Sequence, residues 1–282
     1  MAQEIDPHAY FARIGYAGET QPSLAVLRAL VTHHTAAIAF ENVETVARRP
    51  PLLDLDSLQR KMIQQARGGY CFEHGTLFLG VLRAMGFQVT GLAARVRRGM
   101  PPGMVGPRTH MLLLVDLPDG RHIADVGFGG LTPTAPLAFR VDEEQTTPNE
   151  TYRLVAHNAE FMLQAAIAGG WEDVYLFSLQ PQLPIDYEMG NWFTATWPNG
   201  MFQDNLLVTR PAPGERRTLF NRHFSRRRQA APVERRVLRA REDYRQILRD
   251  EFGLAIAEAD LDATMTVMAK HDPDQPYDGR FA

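Results

Sequence analysis

The chain has 282 residues, 45% of them hydrophobic and 22% charged, with a formal charge of −3. That content excludes a disordered or collagen-like chain and is enough for roughly two domains. The slight negative charge argues against a dedicated nucleic-acid binder. One cysteine, Cys71, excludes an internal disulfide and suits a reducing compartment.

The first residues carry acids, Glu4 and Asp6, where a signal peptide needs a basic start and an apolar run. No stretch is apolar for long enough to span a bilayer, so the expectation is a soluble, cytoplasmic protein without a membrane partner. Asp6-Pro7 reads as an N-cap and first turn, followed by Tyr10, Phe11 and Ile14 at helical spacing and Gly15 as a stop. Ser23 caps a second helix with Leu24, Leu27, Leu30 and Val31 on one face. A third starts near Asp54, carries Leu55, Leu58 and Met62, and is expected to stop at Gly68-Gly69. Cys71 to Met85 is apolar nearly all round and reads as a buried central helix ending at Gly86.

The periodicity then changes. Phe87–Val96, His110–Leu117 and Arg121–Val126 read as strands, the last two joined across Pro118-Asp119-Gly120. Further short runs follow at Tyr152–Ala156, Phe161–Ala166 and Val174–Leu179, so the middle of the chain is expected to be an antiparallel sheet or small barrel. Met201–Val208 is expected to be a strand, and Tyr244, Ile247, Leu248 and Phe252 form a helical stripe before Gly253. Between Arg210 and Arg241, eleven arginines face only Glu215 and Glu234. Such a run is expected to be a solvated face, with attraction of a phosphorylated ligand as a secondary reading.

Cys71 is the residue whose setting asks for explanation. Two glycines precede it, and the apolar helix starts at it. A helix N-terminus favours the thiolate, the nucleophilic form, and supplies N–H donors for an oxyanion. A small buried hydrophobe is the competing reading for a lone cysteine. The nucleophile needs a base and the base an orienting group. His33 and His34 read as surface or core, and His74 as structural. His110 starts an apolar strand, and Asp125 lies at the end of the returning one. A two-residue Asp119-Gly120 turn would place Asp125 opposite Leu114, four residues or about 13 Å from His110, so a register shift is needed to join them. Gly127-Phe128-Gly129-Gly130 lacks the setting of a nucleotide fingerprint. No histidine spacing suits zinc, and no metal is expected. Asn191-Trp192-Phe193 and Met201-Phe202 are expected to be core.

Arg67-Gly68-Gly69-Tyr70-Cys71-Phe72-Glu73-His74 resembles the catalytic-cysteine motif of the arylamine N-acetyltransferases. Thr109–Val115 and Ala124–Gly129 are similar to that family's histidine and aspartate segments. Ala39-Phe40-Glu41-Asn42 and Asn191-Trp192-Phe193-Thr194 are similar to family segments too, in the same order along the chain. Two departures stand out: Gly75, where the family usually has Asn, and Trp197, where Thr-His-Pro is common. The resemblance implies an α+β fold in three parts: a helical bundle (1–86), an antiparallel β-barrel (87–205) and a C-terminal α/β lid (206–282), with a papain-like Cys-His-Asp core. It implies Cys71, His110 and Asp125 as the triad, acetyl-CoA as co-substrate, and an arylamine or hydrazine as acceptor. Phe40 and Phe128 are expected as pocket walls, with core packing as the alternative, and Gly129 as a point of close approach for CoA. Related chemistries share this triad: an amide synthase moving a larger acyl group to an aryl amine, or a hydrolase. The oligomeric state is not legible.

Overall fold

The structure, a computed structural model, describes residues 4–101, 103–198, 200–229 and 231–277. Met1–Gln3 and the last five residues, part of the expected first and third segments, lie outside the described residues. Helix α1 (Pro7–Ile14) begins where the Asp6 carboxylate accepts the N–H groups of His8 and Ala9 and ends at left-handed Gly15. Helix α2 (Leu24–Ala37) is capped by Ser23. A short strand β1 (Phe40–Glu41) and helix α3 (Val43–Val46) follow. Helix α4 (Leu55–Leu58), capped by Asp54, runs on as a π-helical turn over Gln59–Gln64. The chain leaves that helix at Gln65 and left-handed Ala66, before the two glycines expected to end it. Helix α5 (Cys71–Ala84) buries nearly its whole first half.

Strands β2 (Gln88–Val96), β3 (Arg108–Leu117), β4 (Gly120–Ala124), β5 (Leu137–Ala138), β6 (Gln145–Thr146), β7 (Thr151–His157), β8 (Glu160–Ile167) and β9 (Gly170–Phe177) form one antiparallel sheet in the order β5-β4-β3-β2-β9-β8-β7-β6. Its edges nearly meet. The Gln145 side chain on β6 accepts the Ala138 N–H (2.7 Å) and donates to the Ala138 carbonyl (2.9 Å) on β5, so one amide bridges the two edge strands. The expected barrel is therefore present, nearly closed.

Helix α6 (Pro184–Thr196) and the short helix α7 (Met201–Asp204) lead into strands β10 (Leu207–Ala212), β11 (Glu215–Phe220), β12 (His223–Arg228) and β13 (Glu234–Val237), then helices α8 (Arg241–Phe252) and α9 (Glu258–Met268). Met201–Val208 is thus half helix, not a single strand. The second sheet runs β1-β10-β11-β12-β13, so the N-terminal segment lends a strand to the C-terminal sheet.

Strand β3 divides two cores by its period of two. Met111, Leu113 and Val115 face the helical core with Phe72 and Phe78; Leu112 and Leu114 face the barrel interior with Leu163 and Tyr175. A third core joins β10–β12 to α3, α8 and α9.

The arginine-rich stretch is a solvated face only in part: Arg228, Arg235, Arg236 and Arg239 are exposed, while others are drawn inward. Arg216 is buried, binding Glu150 and the Thr132 carbonyl. Arg222 is buried on the carbonyls of Leu238, Met268 and His271. Arg226 meets Glu251, Arg227 meets Glu150, and Arg228 meets Glu215 and Glu234. Carboxylates distant in sequence, which a local charge count misses, absorb much of the charge.

A buried ion pair ties the first segment to the last. Arg67 donates to Glu41 (2.7 and 3.0 Å) and to Asp260 on α9 (3.3 Å). Burial acts to raise the Glu41 carboxyl, but Arg67, Lys61 and the Val43 N–H outweigh it and hold it at about 2, below its ordinary 4.5. A pKa depressed on folding stabilises fully above about pH 4.5, and that contribution fades as pH falls toward 2. Glu41→Gln, which leaves the Arg67 charge buried beside one partner fewer, is expected to cost about 3–5 kcal/mol at pH 7. Denaturant melts at pH 7 and pH 3 check this: the gap between wild type and variant should narrow at pH 3.

Candidate active site

Cys71 is the first residue of α5. The Glu73 carboxylate turns back to accept the Tyr70 N–H (3.0 Å), closing the first turn. Lys61 holds Glu73 and Glu44, each at 2.7 Å. Burial pushes the Glu73 carboxyl up, opposed by that ammonium. The Tyr70 hydroxyl donates to Asn191, which in turn donates to the Pro51 carbonyl (2.9 Å). Behind the turn, Gly68 lies against the Ala39 carbonyl: a Cβ there would sit 2.1 Å from that oxygen. This is the tight approach the paired glycines imply.

The Cys71 thiol donates to the Thr109 carbonyl (3.4 Å), and the Met111 N–H acts on its sulfur, so it rests against the backbone on both sides of His110. His110 Nε2 meets Asp125 Oδ2 at 2.8 Å, and Asp125 Oδ1 accepts the Gly127 N–H at 3.0 Å. All three side chains are buried, none more than 4% exposed.

The register explains how His110 and Asp125 meet. The turn is Pro118-Asp119, with Leu117 paired to Gly120 and Leu113 to Ala124. Continuing that ladder puts Asp125 opposite Leu112, two residues closer to His110 than the Asp119-Gly120 turn would allow. The remaining gap is one diagonal, about 7 Å between backbones, which an imidazole and a carboxylate can span. Parity also agrees: His110 shares the barrel-facing side of β3 with Leu112, and Asp125 shares the side of Ile123.

Helix position alone does not make the thiolate. Burial pushes the Cys71 thiol well up, Asp125 adds to that, and the N–H groups of Phe72 and Met111 only partly offset it. Desolvation therefore outweighs the helix N-terminus that the sequence points to, and ionisation needs an acceptor for the proton.

The other expected residues lie around this centre. Phe128 is half-buried and meets the His110 ring edge-on at 5.1 Å. Phe40 is buried, its ring parallel to that of His74 at 6.4 Å. Gly129 has φ +87°, and a Cβ there would touch the Phe40 ring at 3.6 Å. One neighbour of His110 carries no sequence signal beyond its strand. Tyr175, read only as part of a strand, packs on His110 at 5.1 Å with its buried hydroxyl toward Asp125. Burial and then Asp125 raise its phenol pKa. Phe202 packs against the core as expected, 6.0 Å from Phe40 and 6.1 Å from Tyr70. Trp192, also expected in the core, is 65% exposed.

His74 is structural, through a buried relay. Its Nε2 donates to the Ala39 carbonyl (3.2 Å), its Nδ1 meets His34 Nε2 (2.7 Å), and His34 Nδ1 accepts from Tyr10 (2.8 Å). Burial lowers both imidazoles, His74 to about 4. Gly75 is accounted for as well: a Cβ there would stand 2.7 Å from the Met111 side chain, which fills the place of a larger residue. Among the described residues no group of three or more His, Cys, Asp or Glu is placed to hold a metal ion, and no helix is long and apolar enough to cross a membrane.

A family model described as N-acetyltransferase matches residues 23–261. The arylamine N-acetyltransferase of Escherichia coli K12 is 40% identical over 93% of this chain and 95% of its own. The solved arylamine N-acetyltransferase of Salmonella typhimurium superposes with a TM-score of 0.88 at 39% identity, covering 94% of this chain and 98% of that one. That of Mycobacterium marinum, solved in complex with CoA, gives 0.89 at 36% identity over 94% and 99%. A chain with this fold and this level of identity over nearly its whole length belongs to the arylamine N-acetyltransferase family.

Gly127 locks the site together. A Cβ there would lie 2.9 Å from His74 Cβ, 3.1 Å from Cys71 Cα and 3.2 Å from the Cys71 carbonyl. None of these atoms is the end of a flexible side chain. Gly127→Ala is therefore expected to cost about 1–3 kcal/mol in stability. It should also lower kcat at least tenfold by separating the helix from the Asp125 segment. Thermal melts and steady-state kinetics check the two effects.

Proposed function

We propose that the protein moves the acetyl group of acetyl-CoA to the nitrogen of an arylamine, arylhydrazine or hydrazide through an acetylated Cys71. The observation that carries this reading is the buried Cys71, whose thiol rests on the backbone either side of His110, together with the His110–Asp125 hydrogen bond at 2.8 Å. Family membership and the CoA complex of the Mycobacterium marinum relative support acetyl-CoA as the donor.

In this mechanism His110 takes the thiol proton as Cys71 attacks the thioester carbonyl. Asp125 holds the imidazole in place and stabilises the imidazolium, which removes the penalty of burying a lone thiolate. Backbone N–H groups at the start of α5, that of Cys71 among them, hold the tetrahedral oxyanion. The intermediate collapses, CoA leaves with the proton from His110, and the acetyl group stays on sulfur. The amine then attacks that carbonyl, His110 receives its proton, and the C–S bond breaks to release the amide. The sulfur regains its proton from His110.

Burial of all three groups favours a transferase over a hydrolase, because a thioester kept from water survives until an amine enters. Phe128 and Phe40, with Phe202 beside them, form the aromatic walls for the arene in this reading. Gly129, lacking a side chain, leaves room for the pantetheine end of CoA. We place the enzyme in the cytoplasm, acting on foreign amines, where acetyl-CoA is available and its single thiol stays reduced.

Cys71→Ala should abolish acetyl transfer with the melting transition intact. Asp125→Asn should lower kcat/KM by about 10³–10⁴-fold, since an amide cannot stabilise the imidazolium. Turnover assays with acetyl-CoA and an aniline check both; near wild-type rates for Asp125→Asn would remove it from the triad.

A further inference from the structure

Behind the first turn of α5 lies a cluster of charges that the mechanism does not use. Arg49 meets Asp260 (2.6 Å), Arg67 meets Asp260 (3.3 Å) and Glu41 (2.7 Å), and Lys61 meets Glu44 and Glu73 (2.7 Å each). Among the described residues these pairs join four carboxylates to three cations, so one carboxylate has no counter-charge of its own. Asp260 has two arginines. Glu41 takes two N–H groups of Arg67 and the Val43 N–H (2.8 Å). Glu44 shares Lys61 but keeps 24% of its side chain in solvent. Glu73 shares the same lysine with 1% of its side chain exposed. Its charge is therefore the least compensated of the four, and it stands at the third position of the helix that begins at Cys71.

We propose that Glu73 and Glu44 keep one proton between their carboxyls at neutral pH, held on Glu73, and that its release places a negative charge behind the Cys71 thiol. The charged and titratable groups facing Glu73 are Lys61 from the π-helical turn, Glu44 from α3, Glu41 from β1, and Tyr70 and Cys71 on its own turn. Two carboxylates that share one ammonium in a buried site cannot both ionise without a large penalty. Burial, with Glu44 and Glu41, pushes the Glu73 carboxyl up to about 7 against the pull of Lys61. An ionised Glu73 in turn raises the thiol. Below neutral pH Glu73 is uncharged and leaves the thiol alone; as pH rises past neutrality it ionises and opposes the thiolate. Glu73 is thus a positioning residue: its carboxyl accepts the Tyr70 N–H (3.0 Å) and sets how readily Cys71 ionises. The consequence for acetyl transfer rests on the reading of Cys71 as nucleophile; the proton on Glu73 does not.

Carbon-13 NMR of the full chain labelled at the glutamate carboxyls reads that proton directly and needs no acetyl-CoA. Glu73→Gln assigns the signal by its loss, and thermal melts show that the variants are folded. In the wild type the Glu73 signal should titrate near neutral pH. In Glu44→Gln, which leaves Lys61 to Glu73 alone, it should move down toward the ordinary 4.5. Alkylation of Cys71 by iodoacetamide reads the effect on the thiol. Glu73→Gln, which never ionises, should react like the wild type at pH 6 and at least about threefold faster at pH 8. A Glu73 signal that titrates at or below 4.5 in the wild type overturns the proposal. So does a signal that Glu44→Gln leaves in place, or a ratio of alkylation rates that is the same at both pH values. A neutral titration of Glu73 in a protein that never carries acetyl on Cys71 would support this proposal and overturn the acyl-transfer reading instead.

Discussion

The contact between the first turn of α5 and the segment following β4 is the constraint on which the site depends. Gly127 sits against Cys71 and His74 at distances that admit no side chain. Its own N–H is bound to the Asp125 carboxylate that holds His110. One glycine thus joins the helix that begins at Cys71 to the hairpin that carries His110 and Asp125. The helices and the barrel are brought together at that point.

The rest of the molecule supports this junction from behind. The Tyr10–His34–His74 relay fixes α5 to α2 and to the Ala39 carbonyl. The Glu41–Arg67–Asp260 network ties the loop before Cys71 to α9, and β1 pairs with β10. Buried charges of this kind add little net stability relative to apolar packing, but breaking them is costly. Their arrangement here gives the loop before Cys71 one position, the preorganisation that the proposed acyl transfer needs.

Much of this was legible in the sequence where the signal was local. Asp6, Ser23 and Asp54 cap the helices they precede, and Gly15 and Gly253 end theirs, because capping is decided within four residues. The start of α5 at Cys71, after the two glycines, is likewise a local feature. What failed were properties set by distant partners. The choice of Pro118-Asp119 over Asp119-Gly120 shifts the ladder by two residues, and short-range turn preference does not resolve it. The ionisation of Cys71 follows burial as well as its helix, and burial is a tertiary quantity. The arginines of β11 and β12 find Glu150 and Glu251, tens of residues away. Trp192 reads as core in any single-chain periodicity because its face is apolar.

The central claim is that Cys71 carries the acetyl group between donor and acceptor, and intact-protein mass spectrometry tests it most directly. The protein would be mixed briefly with acetyl-CoA alone, measured, and then chased with an arylamine. The account predicts one added acetyl group, located on Cys71, that persists in buffer and disappears when the amine is added. Acetyl transfer to the amine with no label on Cys71, or a label that water clears as fast as the amine does, would contradict it.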